Sequence, residues 1–272
     1  SDFIIVWVGN PSYTRIPDIH FMHEARYRGA KLVVIAPDYN ATAVHADYWI
    51  NPQIGTDAAL ALAMAQVIVE ENLYKEDYVR EQTDLAILVR DDTHRYLRGA
   101  DLSATGGKDV LQFWDETSDQ LAVVPGCEGE GSTSLALGSL RPALTGRREV
   151  TLADGKTVGV RPLFDVLRAH LDNGYRPEQA AKVTGVTPAT IRRIARELAK
   201  ANSAMIFSSW GACKHYHSDL VQRAEILLMA LTGNQGKSGG GLRVASWWEI
   251  DGQRKLWPMS GRTAWMTASE RL

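Results

Sequence analysis

Residues 3–8 have the sequence FIIVWV, and the turn-forming stretch Gly9-Asn10-Pro11 follows them directly. A continuous run of β-branched and aromatic residues that ends in a turn is typical of a strand buried on both faces. Residues 31–36, KLVVIA, repeat the pattern and end at Pro37. Both runs therefore predict strands of a parallel sheet, a kind of sheet that carries helices on its two faces.

Helical segments separate the predicted strands. A helix is predicted over residues 17–28, where Gly29 stops it. A third short strand, Tyr48–Ile50, precedes Thr56, which we expect to be the N-cap of an Ala-rich helix that ends near Glu71. This alternation predicts right-handed crossovers and an α/β fold with a doubly wound, mostly parallel, Rossmann-like sheet.

The regular pattern is interrupted once. Residues 84–160 are rich in Gly, Ser and Asp, and we interpret them as an irregular surface insertion. Residues 1–83 and 161–242 are then the two halves of one dinucleotide-binding α/β domain, the second half containing helices, a strand at Ala204–Ser208 and a glycine-rich loop. Residues 243–272 are expected to form a Trp-rich segment that leads to a further domain.

Composition excludes several classes of function. The 272-residue chain has 30 basic and 32 acidic residues, a net charge of −2, so it lacks the basic surface that nucleic acids attract. Its most apolar stretch, around residues 58–69, is shorter than the roughly 18 to 20 residues that cross a bilayer, and no membrane span is expected. Cys127 and Cys213 form no CxxC pair, which excludes a zinc ribbon or iron–sulfur cluster built from this chain alone.

In an open parallel sheet, ligands bind beyond the carboxyl ends of the strands. The loops at these ends contain Gly9 and Asn10, then Asp38, then Gly55 and Asp57. A glycine permits close approach to a diphosphate, and a carboxylate after the second strand can accept hydrogen bonds from ribose hydroxyls or a purine edge. Each residue also has a structural alternative, because glycine and asparagine form simple turns and aspartate stabilises helix starts.

Glycine patterns argue against two common nucleotide sites. The first strand-end loop lacks the GxGxxG fingerprint, so a nicotinamide or flavin dinucleotide held in the usual way is disfavoured. The segment GNQGKSGGG at 233–241 contains Gly-Lys-Ser but follows a helix, whereas a P-loop follows a strand, and ATP hydrolysis is not supported. Such a loop suits close passage of the backbone past a bulky ligand, with a flexible linker as the alternative.

A cluster of titratable residues follows the strand at Ala204–Ser208. Lys214, His215 and His217 lie close to Trp210 in sequence, and we predict that they transfer protons or hold an anionic substrate. Metal binding by the two histidines is disfavoured, because side chains two residues apart point in different directions on a helix and no carboxylate with suitable spacing accompanies them. No metal ligand is therefore predicted in this chain.

The order of these segments resembles the molybdopterin-guanine-dinucleotide enzymes of the dimethyl-sulfoxide-reductase family. The similarity is greatest to the catalytic (alpha) subunits of the subgroup that contains respiratory nitrate reductases and hydrocarbon dehydrogenases such as ethylbenzene dehydrogenase, and it covers nearly the whole chain outside the insertion. The segments that carry it are WVGNP at 7–11, TRIPD at 14–18, VIAPDY at 34–39, GTDAALALAM at 55–64, TGV at 184–186, IRRIAR at 191–196, HYH at 215–217 and LTGNQGKSGGG at 231–241.

The resemblance implies an interior part of a larger subunit that contacts one half of a bis(molybdopterin guanine dinucleotide) molybdenum cofactor. It also implies that a molybdenum-ligating aspartate lies just before residue 1, and that the cysteines of an iron–sulfur cluster lie further upstream. The implied partners are the rest of the subunit, an iron–sulfur electron-transfer subunit, a small-molecule substrate and, as an open alternative, a haem subunit. The expected cofactor-binding residues are Trp7, Gly9, Asn10, Pro37, Asp38, Gly55, Asp57, Trp210, Gly211, Gly233, Asn234 and Gly236.

The substrates implied by the subgroup are nitrate, selenate, chlorate, dimethyl sulfide and hydrocarbons that are hydroxylated with water. An aromatic wall beside Lys214 would suit an apolar substrate better than a small oxyanion, so we expect hydrocarbon oxidation ahead of oxyanion reduction. The tryptophans that suggest such a wall are Trp210, Trp247, Trp248, Trp257 and Trp265.

Two other classes of function remain as alternatives. Residues 177–198 have the pattern of a helix-turn-helix with a basic second helix, which by itself would predict a DNA-binding module. The near-neutral charge and the surrounding parallel sheet argue against it. The other alternative is a nicotinamide-dependent dehydrogenase with an atypical glycine turn.

Overall fold

A computed structural model describes residues 1–127 and 136–244, with the side chains of residues 212 and 213 excepted. In chain order the strands are β1 (Phe3–Trp7), β2 (Lys31–Ile35), β3 (Tyr48–Ile50), β4 (Leu88–Arg90), β5 (Gln112–Asp115), β6 (Gln120–Val123), β7 (Arg148–Thr151), β8 (Thr157–Pro162), β9 (Ala204–Ser208) and β10 (Gly241–Val244). The α-helices are α1 (Pro11–Thr14), α2 (Ile16–Tyr27), α3 (Asp57–Glu70), α4 (Glu76–Gln82), α5 (Gly99–Leu102), α6 (Leu163–Gly174), α7 (Pro177–Thr184), α8 (Pro188–Lys200) and α9 (Asp219–Leu231).

The central sheet has five parallel strands in the order β10-β9-β1-β2-β3. In β1, Ile5 pairs with Val33 of β2 on one side and with Ile206 of β9 on the other. All five residues of β1 are buried, as expected for a strand covered on both faces. The predicted doubly wound, mostly parallel α/β fold is therefore confirmed.

Alternate side chains of β1 enter two different cores. Phe3, Ile5 and Trp7 pack with the layer formed by α3, α6, α7, α8 and α9, whereas Ile4 and Val6 pack with α2. This separation follows from the two-residue period of a strand. Helix α3 lies between the sheet and the other helices of its layer, which accounts for its mostly small, apolar composition.

The predicted N-cap of α3 has a different local role. Helix α3 begins at Asp57 as expected, but the hydroxyl of Thr56 donates a hydrogen bond to the carbonyl of Gln53 at 2.6 Å and caps no helical N–H. The Thr56 side chain therefore stabilises the β3–α3 turn and not the helix end. At α8 the expected type of cap is present, because Thr187 accepts a hydrogen bond from the Thr190 amide at 3.2 Å.

The segment predicted to be an irregular insertion contains more regular structure than its glycine content suggested. Strands β4, β8 and β7 form an antiparallel sheet, and β5 and β6 form a two-stranded one. Leu88, Leu97, Val150 and Val160 belong to a separate hydrophobic cluster there. The subdivision of the chain at residues 83, 160 and 242 stays a prediction. Of the Trp-rich segment, everything after Val244 lies outside the described residues.

Within the described ranges, no helix has both the length and the apolar character needed to cross a membrane.

Candidate functional site

The carboxyl edge of the sheet has a topological switch point between β1 and β9. From β1 the chain proceeds through β2 to β3 on one side, and it later returns to β9 on the other side. The loops after β1 and β9 therefore leave the sheet in different directions, the arrangement that opens ligand crevices in folds of this kind. The backbone amide of Ser209 donates to the carbonyl of Trp7 at 3.1 Å, so the two loops meet at the edge itself.

Two predicted binding glycines lie where these loops touch each other. A Cβ on Gly211 would lie 2.5 Å from Val8 Cγ1 and 2.9 Å from the Val8 carbonyl oxygen, and a Cβ on Gly9 would lie 3.1 Å from Ser209 Cβ. Val8 itself has a φ of +50°, a strained value for a β-branched residue. The contact between the loops is enough to account for both glycines, and their contact with a ligand stays a prediction.

Asn10 joins the first loop to the loop after β2. Its Oδ1 accepts hydrogen bonds from Thr42 Oγ1 at 2.9 Å and from the Thr42 amide at 3.3 Å. Asn40 Oδ1 accepts from the same amide at 3.0 Å, and the buried Thr42 hydroxyl accepts from the amide of Ser12. Sequence analysis missed Asn40 and Thr42, because only the fold brings these two loops together. The buried Oγ of Ser12 has no hydrogen-bond partner among the described residues.

The loop after β2 presents an exposed acidic and aromatic surface. Pro37 and Asp38 are exposed, and the Asp38 carboxylate makes no hydrogen bond or ion pair within the described part of the chain. Beside it, Tyr39 and Trp49 form an edge-to-face pair with ring centroids 5.1 Å apart. The Trp49 indole is held by a hydrogen bond to the Ala36 carbonyl at 3.1 Å. Sequence analysis identified Asp38 but missed the aromatic pair.

A buried polar network lies beneath this edge. Trp7 Nε1 donates to Asp57 Oδ1 at 2.8 Å, and Ser208 Oγ donates to Glu225 Oε1 at 3.2 Å. Trp7 is fully buried and its indole holds Asp57, so the structure gives no exposed indole to a ligand, and the contact of Trp7 with a cofactor stays a prediction. The pKa of Glu225 is raised to about 8, mainly by burial and to a smaller extent by the charge of Asp57, while the hydrogen bond from Ser208 opposes the shift. Sequence analysis missed Glu225, whose partner is distant along the chain.

The predicted catalytic cluster borders a cleft of about 530 Å³ between α3, α9 and the α6–α7 turn. His215 lies over Gly55, where a Cβ would be 3.8 Å from the imidazole Cγ, and Gly55 has a φ of +83°. Lys214 and His217 are exposed, and the His217 ring packs against Tyr216 with centroids 4.0 Å apart. The fold thus brings Gly55 of the β3–α3 loop close to His215 of the β9–α9 loop, and both were predicted to be site residues. Trp210, 38% exposed, lies in the second of these loops.

The glycine-rich loop does not join this site. Because α9 runs back across the sheet, residues 232–240 lie at the amino edge, opposite the strand-end loops. Asn234 is buried, and its Oδ1 accepts from the amide of Ala204, the first residue of β9, at 2.8 Å. Gly233 passes close to Lys75 of the loop before α4. The structure therefore does not bring Gly233, Asn234 and Gly236 together with the carboxyl-edge loops, and their contact with a cofactor stays a prediction.

The helix-turn-helix pattern corresponds to α7 and α8, which are joined at Gly185 with a φ of +74°. The three arginines of α8 are already paired: Arg192 with Glu178 at 2.6 Å, Arg193 with Glu197 at 3.5 Å, and Arg196 with Glu71 at 2.7 Å. Ile191, Ile194 and Leu198 are among the side chains that bury the helix in the core of the domain. The charge that α8 would offer to a DNA backbone is thus largely neutralised by carboxylates of the same chain, which disfavours DNA binding.

The fold and the polar strand-end loops together define a doubly wound α/β protein of the dinucleotide-binding class. A family model described as "Molybdopterin oxidoreductase" matches residues 1–254, and the chain belongs to this family. Membership of the expected family is thereby confirmed, in preference to a DNA-binding module or a nicotinamide-dependent dehydrogenase.

Similar proteins agree with this assignment. The chain is 44% identical to the perchlorate reductase subunit alpha of Dechloromonas aromatica, over 91% of this chain and 29% of that protein. It is 39% identical to the respiratory nitrate reductase subunit alpha of Haloferax mediterranei, over 99% of this chain and 27% of that one. The structure of acetylene hydratase from Pelobacter acetylenicus matches with a TM-score of 0.51 and 19% identity, over 85% of this chain and 21% of that one, a likeness of fold alone. The chain thus spans under a third of these relatives.

Proposed function

We propose that this chain is the part of a molybdenum oxidoreductase catalytic subunit that binds the nucleotide end of a molybdopterin guanine dinucleotide at the carboxyl edge of its sheet. The observation that carries the proposal is the convergence, at the switch point between β1 and β9, of the loops that contain Asn10, Asp38, Gly55 and Gly211. Open α/β sheets bind nucleotides at this position, because strand-end loops supply amides and polar side chains there.

The groups at this edge fit such a ligand. Guanine presents N–H donors on its edge, which the exposed Asp38 carboxylate can accept, and the neighbouring Tyr39–Trp49 pair offers an aromatic surface to the purine ring. The Ser12 hydroxyl lacks a partner among the described residues, and it can donate to a phosphate or ribose oxygen. Asn10 Oδ1 accepts hydrogen bonds from Thr42, and the Nδ2 group of Asn10 can donate to a ligand.

The bound cofactor would supply two-electron oxygen-atom chemistry at molybdenum. This chain's own residues would bind and orient its nucleotide end. Lys214, His215 and His217 would contribute positive charge and transferable protons at the rim of the cleft that also contains Gly55. By analogy with the subunits named alpha among its relatives, the chain would work within a longer subunit that contains a second pterin dinucleotide and an iron–sulfur cluster, and would pass electrons through an iron–sulfur subunit.

We propose an oxyanion as the substrate. Perchlorate reductase and nitrate reductase, to which the chain is 44% and 39% identical, are named for oxyanions, and this favours oxyanion reduction over the hydrocarbon oxidation that sequence analysis preferred. The hydrocarbon preference depended on an aromatic wall of which four tryptophans lie beyond Val244, outside the described residues. The exposed Lys214 is the group on the described surface that would attract an anion.

Nucleotide content of the full-length subunit tests the proposal. Acid hydrolysis of a bound guanine dinucleotide releases GMP, which can be quantified by chromatography per mole of folded protein. We expect Asp38→Asn to reduce the GMP content. An asparagine amide has one acceptor oxygen instead of two, and its NH2 group would face the N–H donors of guanine. The matched control is Asp77→Asn, an exposed carboxylate on α4. Equal GMP in both variants and the wild type, or no GMP in the wild type, would contradict the proposal.

A further inference from the structure

Glu225 is a fully buried acid in the middle of α9 that the proposed function leaves unexplained. Its Oε1 accepts a hydrogen bond from Ser208 at the end of β9, and its Oε2 is buried without a partner among the described residues. Asp57, at the start of α3, is 6% exposed and lies near enough for its charge to act on Glu225. Two carboxyl groups therefore share one buried region beneath the carboxyl edge.

Among the described residues, no cation compensates this pair. Of the elements packed on α9, α3 contributes the Asp57 carboxyl and β9 contributes the Ser208 hydroxyl. The other elements packed on α9 are α4, β10 and the turn Trp210–Lys214, and none of their described residues places a charge that acts on Glu225. Neither Glu225 nor Asp57 has an ion-pair partner among the described residues. Two ionised carboxylates in such surroundings would repel each other and would each lose hydration, so a proton on one of them is strongly favoured.

The contacts decide which acid holds the proton. Asp57 accepts the Trp7 indole N–H, and it lies in the first turn of α3, where the helix dipole favours a negative charge. Glu225 lies in mid-helix and has a single neutral donor, the Ser208 hydroxyl. The ionised form is therefore better stabilised at Asp57 than at Glu225, in agreement with the raised pKa of Glu225.

We propose that Asp57 and Glu225 together hold one proton, carried by Glu225, and that neutral Glu225 is a positioning residue which fixes Ser208 and with it the start of the β9–α9 loop. Ser208 directly precedes the loop that bears Gly211, Lys214 and His215. The shared proton is argued from the burial of both carboxyl groups, from the unpartnered Oε2 of Glu225 and from the effect of the Asp57 charge on Glu225. The effect on the loop rests on the proposed function, because that loop borders the proposed nucleotide site.

The proton has a consequence for stability. An acid whose pKa in the folded state lies above its unfolded value of roughly 4.3 stabilises the fold most at low pH. That contribution declines as pH rises from about 4.3 towards the folded pKa of about 8, and it is constant above this value. Between these limits, the equilibrium constant for unfolding should increase about tenfold per pH unit through this one group.

The test compares the full-length, cofactor-loaded wild type with Glu225→Gln, a neutral isostere, from pH 5.5 to 9, with the exposed Glu81→Gln on α4 as control. The thermal midpoint of the wild type should fall, relative to that of E225Q, up to about pH 8 and then run parallel to it, while E81Q should follow the wild type. A constant difference between the wild type and E225Q over the whole range would overturn the shared proton.

Two further measurements keep the proposal falsifiable. If E225Q does not fold, Ser208→Ala provides the test, because it removes the hydrogen bond that opposes the raised pKa of Glu225. The decline of the thermal midpoint should then extend to higher pH, and a pH profile equal to that of the wild type would overturn the proposal.

GMP content at pH 7 should be retained in E225Q, because its side chain can still accept a hydrogen bond from Ser208, and it should be reduced in Glu225→Leu. Equal loss of GMP in both variants would overturn the positioning role. The pH profile of the midpoint requires no particular ligand, so failure of the proposed function would leave that result intact.

Discussion

The indole Nε1 of Trp7 donates a hydrogen bond to Asp57 Oδ1 over 2.8 Å, which joins the end of β1 to the start of α3 inside the core. Neither group is exposed enough to meet a ligand directly. Both were expected to contact a cofactor, and the bond between them accounts for their presence through the position of the loops that follow β1 and β3. Their removal should therefore act on folding first and on binding second.

We predict that Asp57→Ala will destabilise the full-length subunit by about 1–3 kcal/mol, because it leaves a buried indole N–H without an acceptor. Asp57→Asn retains an acceptor and should lose clearly less. Thermal midpoints of the two variants and the wild type check this. A midpoint for Asp57→Ala equal to that of the wild type would show that the bond contributes nothing to the stability of the fold.

Gly211 is the second position where the contact between loops dictates the residue. Gly211→Ala would place a Cβ 2.5 Å from Val8 Cγ1, and Val8 is already strained, so the loops after β1 and β9 would have to separate. We expect a loss of about 1–3 kcal/mol, as in overpacked cores, together with a lower GMP content. Gly174→Ala is the control, since a Cβ there meets no atom within 4 Å and should be tolerated. Identical melting and GMP content for the two alanine variants would argue against the contact.

Strands buried on both faces were the part of this fold that sequence predicted best. The runs at 3–8 and 32–36 are continuously apolar. Local composition was therefore enough to identify both segments as strands and to place their ends, without knowledge of the strands that pair with them. The three-residue strand Tyr48–Ile50 was also found, because Asn51 and Pro52 end it sharply. Local signals of this kind sufficed to predict the doubly wound topology.

The site was predicted less completely, because its decisive contacts are tertiary. Ser208 and Glu225 are 17 residues apart, and Asn10 and Thr42 are 32 apart, so no sequence window contains either pair. The glycine-rich loop was misplaced for a different reason. Glycine content indicates tight backbone geometry but not the edge of the sheet, and a loop that follows a helix in a β–α–β unit lies at the amino edge.

This correction leads to a test at Asn234. The Asn234 amide accepts from Ala204 at 2.8 Å and donates to Thr232 Oγ1 at 2.8 Å. Asn234→Ala leaves the buried Ala204 amide without an acceptor, whereas the Thr232 hydroxyl keeps its bond to the Leu228 carbonyl. We expect it to cost about 1–3 kcal/mol of stability. The GMP content per mole of folded protein should nevertheless equal that of the wild type, since the residue lies at the amino edge. Selective loss of GMP without loss of stability would instead return this loop to the binding site.

Acidic pH should destabilise the inserted segment, residues 84–160, by protonating Asp115. Its carboxylate accepts from the Arg141 amide at 2.8 Å and from the Ser118 hydroxyl at 2.7 Å, and these bonds lower its pKa to about 2. Because the folded pKa is depressed, the stabilisation is present above the unfolded pKa of roughly 3.9 and is lost as pH falls from there towards about 2.

Pepsin cleavage within residues 84–160 measures this effect locally. Asp115→Asn should be cut faster than the wild type at pH 4 to 5, and the difference should disappear near pH 2, where the wild-type carboxylate is protonated as well. The exposed Asp109→Asn serves as control. A rate difference that persists unchanged to pH 2 would mean that the charge of Asp115 does not hold the segment together.

Lys214 provides the test of the proposed anionic substrate. The residue is exposed and directly precedes His215, which lines the cleft together with Gly55, so its charge can act on an approaching oxyanion before any contact forms. Lys214→Ala in the full-length enzyme should lower kcat/KM for the oxyanion by about tenfold, the effect of losing one charge-assisted hydrogen bond. Lys108→Ala, an exposed lysine in the inserted segment, should leave it unchanged.

Ionic strength separates an electrostatic role of Lys214 from a merely structural one. Salt screens exposed charges, so kcat/KM of the wild type should decrease as salt is raised, and Lys214→Ala should show a weaker dependence because the attracting charge is already gone. Lys214→Arg keeps the charge and should keep most of the salt dependence. If all three enzymes respond to salt alike, Lys214 does not steer the substrate.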